Sequence, residues 1–430
     1  MTDKTTHPPH HFAVGIGAGP ANLSLAALFK STAQTNPDLG DLVLFDRQPS
    51  CGWHENLLHN GVRMQTSWLK DLAAVVDPTN ELTFLNYIVT TGRLFALLNS
   101  QFDVIPRREY MRYLEWAANR LGNVRYDVTV DRVAYGANGF EVHSGDRLLA
   151  TADHVVLGVG TQSATIPGLA TLPSDRSFLS DQLAARIPAM KAYRSAPVAV
   201  IGGGQTGIEC VLKLLGEGFT DIRWYTRPTW FRTIDDSPVA NDFYRPSHQE
   251  FLQGLSRSTR RRLVEEMLPT GVALTPGALR VLYQANYDGM LERGDFPVTL
   301  LPGREVSYGE LRGDDVVLDV ASAEARAEHR VRYAVIAVGR VNAPLPLDPE
   351  LRERVDADTD GEPLIAADYS VIWKGMNGHK MFALNRSMYA NGVPDANLTL
   401  LPVRAAIVIN SMLGRDVYRI RDDFSPVKWG

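Results

Sequence analysis

The sequence predicts an α/β protein with two Rossmann-like dinucleotide-binding domains and a smaller helix-rich substrate region. Two glycine-rich turns, each lying between a short apolar strand and a helix, are the main basis for this prediction. The length of 430 residues allows two to three domains. Apolar residues make up 45% and charged residues 22% of the chain, which is ordinary for a globular protein and excludes a disordered or fibrous one.

The first dinucleotide unit lies near the N-terminus. The apolar strand His11–Ile16 leads into a glycine-rich turn at residues 17–22 and then into the apolar helix Leu23–Phe29. A second strand, Asp41–Phe45, ends at Asp46. Glycines allow the backbone to approach a pyrophosphate, which binds at the helix N-terminus. Asp46 follows the second strand, where a carboxylate can accept hydrogen bonds from ribose hydroxyls.

The second dinucleotide unit repeats this pattern. The strand Ala196–Ile201 precedes the G-x-G-x-x-G turn at residues 202–207, and the strand Ile222–Tyr225 follows the next helix. This strand ends in Thr226-Arg227 and not in an acid. An acid there binds the ribose 2′-hydroxyl of NAD, whereas an arginine suits the 2′-phosphate of NADP. One such turn is weak evidence, but two in the same setting indicate FAD and a nicotinamide cofactor.

Further strands are expected to complete both sheets. Hairpin-like stretches at residues 132–151 and 305–332 each lead to a strand, His154–Leu157 and Tyr333–Ala337, that ends in a glycine turn. Glycine at such a position allows close approach to a bound dinucleotide.

The segment 235–295 between the second unit and its last strand is helix-rich and is broken by prolines. It contains an arginine run, Arg257 and Arg260–Arg262. We interpret this run as a solvated helix face and not as a phosphate site.

Composition and charge exclude several other classes. Lys+Arg minus Asp+Glu is 44 − 49 = −5, so the chain lacks the basic excess typical of a nucleic-acid binder. Two cysteines, Cys51 and Cys210, are too few for a disulfide framework or a cysteine-rich zinc site and fit a reducing cytosol. No run approaches the roughly 18 apolar residues that span a bilayer, and the N-terminus lacks a signal-peptide core. We expect a cytoplasmic protein without a metal, in which His7, His10 and His11 belong to a solvated tail.

Motifs from nearly the whole chain point to one family. They are GIGAGPANL (15–23, with Asn22 in place of the usual third glycine), WH (53–54), MQTSWLKDL (64–72), FLNY (84–87), GGGQTG (202–207), NG (391–392), LTLLP (398–402) and the final VKWG (427–430). In this combination the sequence resembles the flavin-dependent N-hydroxylating monooxygenases of siderophore biosynthesis, which act on lysine N6, ornithine N5 or diamines. The final motif and DPTN (77–80) resemble the lysine-acting branch.

The resemblance implies a contact set for each ligand. The implied flavin contacts are Gly15, Gly17, Gly19, Pro20, Asn22, the stretch from Asp46 to Trp53 and His54, Gln65, Val130, Ala396, Asn397 and Leu398. The implied NADPH contacts are Gly202, Gly204, Gln205, Thr206, Gly207 and Arg227, with Asn286, Tyr287 and Asp288 near the nicotinamide. The implied substrate contacts are Lys70, Asn241, Tyr244, Asn286 and Thr399.

Some of these residues also have simpler interpretations. Lys70 can pair with a substrate carboxylate, but it can also be a lysine at the start of a helix. Asn241 and Asn286 can be ordinary caps, and Trp53 and His54 can be core residues.

The implied domain division follows from the same motifs. It assigns residues 1–165 and 370–430 to an FAD-binding domain, 166–234 and 300–369 to an NADPH-binding domain, and 235–299 to a helical substrate-binding region. The resemblance also implies a homo-oligomer, either a dimer or a tetramer.

The resemblance implies N6-hydroxylation of L-lysine with FAD, NADPH and O2 through a C4a-hydroperoxyflavin. L-Ornithine and diamines such as cadaverine or putrescine remain alternatives, since Asn241, Asn286 and Thr399 resemble the ornithine pattern. A lysine amine with a pKa near 10.4 is almost wholly protonated at pH 7, so binding must favour its neutral form or solvent must deprotonate it. The motifs contain no dedicated general base.

Three other classes also have two nucleotide units. A flavin disulfide reductase needs a cysteine pair, but Cys51 has no second cysteine nearby. A Baeyer–Villiger monooxygenase has a linker histidine, where this chain has Leu179 after Phe178. A redox-sensing protein would bind both nucleotides without turnover.

The chain also departs from the family pattern. Val338-Gly339-Arg340 stands where members often have Thr-Gly-Tyr, and Asn391 stands where a histidine commonly precedes the glycine. These departures affect the details expected for NADPH binding and not the two dinucleotide folds.

Overall fold

The computed structural model describes residues 8–53, 61–375, 377–420 and 424–430. The strands are β1 (His10–Ile16), β2 (Leu42–Phe45), β3 (Val124–Arg125), β4 (Arg132–Gly136), β5 (Gly139–Ser144), β6 (Arg147–Leu157), β7 (Thr161–Ser163), β8 (Ser177–Leu179), β9 (Val198–Ile201), β10 (Ile222–Thr226), β11 (Val298–Pro302), β12 (Glu305–Arg312), β13 (Asp315–Ala321), β14 (Arg326–Val331), β15 (Tyr333–Ile336), β16 (Arg340–Asn342) and β17 (Lys380–Ala383). The helices are α1 (Pro20–Ala33), α2 (Phe84–Thr90), α3 (Leu94–Asn99), α4 (Arg107–Leu121), α5 (Leu183–Met190), α6 (Gln205–Gly216), α7 (Pro238–Asn241), α8 (Pro246–Gln253), α9 (Arg257–Met267), α10 (Pro276–Arg293), α11 (Pro349–Arg354), α12 (Met388–Asn391) and α13 (Leu401–Leu413).

A seven-stranded sheet forms the first domain. Its strand order is β3-β2-β1-β6-β5-β4, and β17 pairs with β6. β1 is parallel to β2 and to the end of β6, whereas β4, β5 and β6 form an antiparallel meander. Helices α1, α4 and α13 cover one face in a core that includes Leu28, Leu114 and Ile409. All four residues of β2 and the last four of β1 are buried, so these parallel strands are covered on both faces, as is usual for parallel strands.

A five-stranded parallel sheet forms the second domain, in the order β11-β10-β9-β15-β8. Helix α6 packs on one face in a core with Trp224 and Leu214. The antiparallel strands β12, β13 and β14 pack on the other face through Val316 and Leu318. The prediction of two Rossmann-like domains is confirmed, as are the two hairpin-like stretches.

Local sequence signals set where helices begin and end. Pro20 occupies the first turn of α1, where a missing N–H costs no helical hydrogen bond. Gly122 takes a positive φ of 70° and ends α4. The predicted helix Leu23–Phe29 is the centre of the longer α1, and the strands differ from prediction only at their ends.

The two domains are connected by a short ribbon. β7 leads from the first domain to the second, β16 leads back, and the two strands are antiparallel. After β16, Leu347 and Leu351 pack with Val133 in the core of the first domain. The expected division places 345–369 in the NADPH-binding domain, so this packing argues against that boundary. We propose that the chain returns to the first domain directly after β16.

The helical region contacts both domains. Leu282 of α10 packs in the core of the second domain. Tyr244 and Leu252 form a small cluster with Val393 of the first domain. Among the described residues, none of the helices combines the length and apolar character that a membrane crossing requires.

Candidate active site

A cavity of about 900 Å³ lies where the first domain, the ribbon and the helical region meet. This volume is within the usual range for ligand sites. The residues with an implied flavin contact that line it are Gly19, Pro20, Asn22, Trp53, Gln65, Asn397 and Leu398. His54 lies outside the described residues, and Val130 packs against the core of the first domain.

The first glycine turn leaves the N-terminus of α1 open to this cavity. Gly17 has a φ of 91°, and a Cβ there would lie 2.4 Å from the carbonyl oxygen of Gly158. A Cβ on Gly19 would meet no atom within 4 Å, and no side chain caps α1. Free helix N-terminal amides facing a cavity suit a phosphate. The turn therefore fits the pyrophosphate of a dinucleotide.

Asn22 replaces the third glycine and has a structural function there. Its buried Nδ2 donates to the carbonyl oxygens of Gly17 at 2.7 Å and Ile16 at 3.2 Å. The side chain thereby ties the turn to the end of β1.

Asp46 also supports this turn. Its Oδ2 accepts from the Ala18 amide at 2.6 Å, and its Oδ1 accepts from the Gln48 amide at 2.8 Å. The carboxylate therefore fixes the turn backbone at the place where the ribose contact is expected.

The second glycine turn has the same design. Gly202 has a φ of 126°, and a Cβ there would lie 2.1 Å from the carbonyl oxygen of Ala337. A Cβ on Gly204, just before α6, would meet no atom within 4 Å. Arg227 follows β10 and is 79% exposed, with Nη1 3.9 Å from a carboxylate oxygen of Glu305. It remains available to a cofactor phosphate.

A smaller cavity of about 210 Å³ borders the second turn, and its lining shares Trp53 and Gln65 with the larger cavity. The first domain contributes Trp53 and Gln65, and the second contributes Gln205 and Thr206. The implied flavin and NADPH contacts therefore meet here. Arg340, one of the departures from the family pattern, lines both cavities and donates from Nη2 to the Thr161 carbonyl oxygen at 2.7 Å.

The implied substrate residues do not line these cavities, unlike many of the implied cofactor residues. Over the described residues, none of Lys70, Asn241, Tyr244, Asn286 and Thr399 lines either cavity. Burial lowers the pKa of the Lys70 ammonium below its ordinary value. The buried Thr399 donates to Asn397 Oδ1 at 2.7 Å and so shapes the loop that lines the larger cavity.

Asn286 and Tyr244 have polar atoms that are hydrogen-bonded within the fold. Asn286 Nδ2 donates to the Val298 carbonyl oxygen at 2.8 Å, and its Oδ1 accepts from the Val298 amide at 3.0 Å. The Tyr244 hydroxyl donates to the Thr270 carbonyl oxygen at 2.9 Å. Both side chains are buried and each stabilises the fold, while the implied substrate and nicotinamide contacts stay predictions.

The remaining implied residues of this region are exposed. Asn241 Nδ2 donates to the carbonyl oxygens of Asp236 and Ser237, and its implied substrate contact stays a prediction. Tyr287 and Asp288 lie on the exposed side of α10.

The arginine run is only in part the solvated face that the sequence indicates. Arg261 and Arg262 are exposed and pair with Glu265 and Glu266. Arg257 and Arg260 line the larger cavity, but Arg257 is also exposed, so the interpretation is corrected only for the partly buried Arg260. Burial and the neighbouring Arg257 lower the pKa of Arg260. Their spacing of three residues on one helix face was the available signal.

A buried polar chain supports the loop with Asn397 and Leu398. Asn391 Oδ1 accepts from Gln253 Nε2 at 2.7 Å, and its Nδ2 donates to Ser387 Oγ at 2.9 Å. Asp395 accepts from the Ser387 amide at 2.7 Å and pairs with the buried Arg404 at 3.1 Å. The sequence marked Asn391 as a departure but gave no indication of these partners.

Two open helix N-termini, each following a parallel strand of a separate sheet and each bordering one of two adjacent cavities, define a two-dinucleotide oxidoreductase. The family model for L-lysine 6-monooxygenase/L-ornithine 5-monooxygenase matches residues 9–340, and the chain belongs to this family. Cys51 and Cys210 are buried in the cores of different domains and form no disulfide, unlike the cysteine pair of a disulfide reductase.

Relatives with several substrates match over nearly the full length. The L-lysine N6-monooxygenase of Escherichia coli is 26% identical and covers 97% of each chain. The putrescine N-hydroxylase of Acinetobacter baumannii is also 26% identical, over 95% of this chain and 91% of its own.

Solved structures with the same fold include other N-hydroxylating enzymes. The FAD-bound cadaverine monooxygenase DfoA of Erwinia amylovora superposes with a TM-score of 0.87 at 22% identity, covering 97% of each chain. The ornithine N-hydroxylase KtzI of Kutzneria sp. 744, with reduced FAD, NADP⁺ and L-ornithine, gives a TM-score of 0.85 at 24% identity, over 94% of this chain and 99% of its own.

Proposed function

We propose that the protein hydroxylates the terminal primary amine of L-lysine, with FAD, NADPH and O2, for hydroxamate siderophore biosynthesis. The observation that carries the cofactor assignment is that each glycine turn borders one of two adjacent cavities, and that the linings of these cavities share Trp53, Gln65, Arg107 and Arg340. Full-length similarity to a lysine N6-monooxygenase supports lysine as the substrate, and so does the final VKWG motif.

The residues of the first domain fit a bound FAD. The amides at the start of α1 would hold its pyrophosphate through hydrogen bonds and the helix dipole. Trp53, Gln65, Asn397 and Leu398 would surround the flavin end. A bound flavin would supply the redox chemistry, namely acceptance of reducing equivalents and activation of O2.

The second domain would hold NADPH through the start of α6. Gly204 and Thr206 lie at the open helix end, and Arg227 follows the next strand, where the 2′-phosphate is expected. Gln205 and Thr206 line the small cavity, so the nicotinamide end would point towards the first domain.

Lys70 is the proposed partner of the substrate carboxylate. Its charged form is disfavoured by burial, and no ion pair to Lys70 occurs among the described residues. A carboxylate brought next to it would restore the charged form and gain a charge-assisted bond. The protein's own contribution is then to hold the α-end of lysine, exclude water and direct the far amine to the flavin.

A diamine is the second candidate. The equal identity to a putrescine N-hydroxylase favours it, and so does the position of Lys70 outside both cavity linings. L-Ornithine is one methylene shorter than lysine, and a missing methylene changes affinity by only about 1–3 kcal/mol. Ornithine should therefore act mainly by uncoupling, with NADPH oxidised while little hydroxylated product forms.

The test is a substrate panel of lysine, ornithine, cadaverine and putrescine, measured by hydroxylamine product alongside NADPH consumption. We expect lysine to give the highest product yield per NADPH. Higher yield from a diamine would move the enzyme to the diamine branch, and equal yields from lysine and ornithine would contradict selection by chain length.

Lys70→Ala sharpens this test. Loss of a charge-assisted bond costs about 1.5–3 kcal/mol, so the KM for lysine should rise roughly 10- to 150-fold. Diamines lack the carboxylate and are the internal control, since their KM should not rise. An equal rise for lysine and cadaverine would assign Lys70 to the flavin or the fold.

A further inference from the structure

A buried ion pair joins the two dinucleotide-binding domains. Arg107 is the first residue of α4 in the first domain, and Glu209 lies on α6 in the second. Arg107 Nη1 donates to Glu209 Oε2 at 3.1 Å, and Nη2 donates to Oε1 at 2.9 Å. The side chains are only 12% and 6% exposed. A two-point contact of this kind fixes orientation as well as distance.

The pair also reaches the helical region. Gln205 Nε2 donates to Glu209 Oε1 at 3.1 Å, and Gln205 Oε1 accepts from the Thr275 amide at 2.9 Å, just before α10. The first turn of α6 is therefore held from two sides. One side is the first domain through Arg107, and the other is the helical region through Thr275.

The pair forms part of the wall between the two expected cofactor sites. Arg107 and Glu209 line the 210 Å³ cavity together with Gln65, Gln205 and Thr206. The same helix turn that holds the ion pair therefore presents the implied NADPH contacts to the implied flavin contacts.

We propose that the Arg107–Glu209 pair positions the nicotinamide against the flavin by fixing the start of α6 relative to the first domain. This inference rests on the proposed use of FAD and NADPH. Arg107 and Glu209 act as positioning residues and need not touch the reacting atoms. Hydride transfer is sensitive to geometry, and a misplacement of about 1 Å can reduce a rate roughly 100-fold.

The first measurement is flavin reduction by NADPH under anaerobic single-turnover conditions. In the holoenzyme, Glu209→Gln and Arg107→Met should each lower the limiting reduction rate by roughly 10- to 100-fold. The Kd for NADPH should change far less, because the contacts to the cofactor itself remain. Reduction by dithionite and reoxidation by O2 should keep wild-type rates, since neither requires a docked nicotinamide.

Two further variants separate positioning from general damage. The exchanged pair R107E/E209R restores opposite charges and should recover part of the reduction rate. Lys213→Gln removes the 2.6 Å Lys213–Glu217 pair from the same helix without affecting a domain contact, so its reduction rate should equal that of wild type.

The second measurement does not depend on turnover. Spin labels at Phe95→Cys in the first domain and Tyr308→Cys in the second would report the interdomain distance, because both sites are exposed and the native cysteines are buried. Glu209→Gln should broaden the distance distribution, and Lys213→Gln should not.

The two measurements have different meanings if they fail. Wild-type protein that NADPH does not reduce would contradict the proposed function, while the distance distribution would still test the ion pair. Unchanged reduction and an unchanged distribution in Glu209→Gln would overturn the positioning role. Loss of reduction with an equally large loss of NADPH affinity would also overturn it.

Discussion

The two glycine turns solve the same geometric problem with different residues. In both, the first glycine has a positive φ, and a Cβ on it would strike a carbonyl oxygen that follows a neighbouring strand. In both, the glycine just before the helix faces open space. The carbonyl oxygen of the first glycine accepts an N–H in each turn, at 2.7 Å for Gly17 and 2.8 Å for Gly202.

The donor to that carbonyl differs between the turns. In the first turn, Asn22 itself supplies the amide from the third position of the motif. In the second, the indole of Trp224 on β10 supplies it, and Gly207 must be glycine because a Cβ would lie 2.0 Å from the Gly202 carbonyl oxygen. The residue at the third motif position, Asn22 or Gly207, therefore depends on which group donates to the carbonyl oxygen of the first glycine. A glycine is required only where a residue outside the turn supplies that donor.

The largest expected effects come from the feature that the turns share. Gly17→Ala and Gly202→Ala each force a positive φ on alanine, which costs about 1–3 kcal/mol, and add a Cβ contact to a backbone carbonyl that cannot move freely. We expect purified Gly17→Ala to contain little FAD. Gly202→Ala should retain FAD but lose reduction by NADPH.

Flavin content by absorbance and single-turnover reduction measure the two outcomes. Gly277→Ala is the control, because its Cβ would meet no protein atom, its φ is not positive and it lines neither cavity. Full flavin content in Gly17→Ala would show that the first turn does not hold the cofactor.

The second-largest expected effect comes from the donor to the first glycine's carbonyl oxygen, which differs between the turns. Asn22→Gly restores the usual glycine motif but removes the donor to Gly17, which leaves a part-buried carbonyl without this partner, at a cost of about 0.5–1.5 kcal/mol. We expect weaker FAD binding and a lower free energy of unfolding in urea. Trp224→Phe should show the equivalent loss for NADPH. Tighter FAD binding by Asn22→Gly would contradict the comparison and assign the third glycine to phosphate approach.

A smaller effect is expected from the residues that follow β2 and β10, which are Asp46 and Arg227. Arg227→Ala should raise the KM for NADPH by roughly 10-fold or more, as expected for a lost charge-assisted bond, and leave the KM for NADH unchanged. Steady-state kinetics with both cofactors measure the ratio. Arg223→Ala, on the same strand and paired with Asp221, is the control. An unchanged NADPH to NADH ratio in Arg227→Ala would remove this residue from cofactor selection.

The smallest expected effect concerns the contact between the helical region and Asn391 of the first domain. Gln253→Leu removes the 2.7 Å bond to Asn391, and a part-buried bond of this kind contributes about 0.5–1.5 kcal/mol. We expect a modest fall in product yield per NADPH with little change in flavin reduction, since this contact lies on the side of the flavin loop. A larger effect on reduction than on yield would place the contact on the NADPH side.

The glycine turns were predictable because their constraints are local in sequence. A positive φ, a helix start and a strand end all lie within a few residues of Gly17 and Gly202. Asn286 shows the limit, because its side chain looks the same in sequence whether it meets a ligand or the backbone of Val298. Arg260 is the reverse case, because the sequence predicted no ligand site where the structure has a cavity. Its helix face was predicted to be solvated, and only the packing of α9 against the first domain places it at the cavity.

The pairing of β7 with β16 determines how the second domain is joined to the first. Because β7 and β16 are hydrogen-bonded neighbours, the segment 164–339 enters and leaves the first domain side by side. Antiparallel neighbours lie only about 5 Å apart, so the ends left by excising this segment would be close enough to rejoin. The second domain and the helical region are thus inserted together into the first domain. One added residue in either crossing strand would shift the ribbon register and move side chains such as Arg340 to the opposite face.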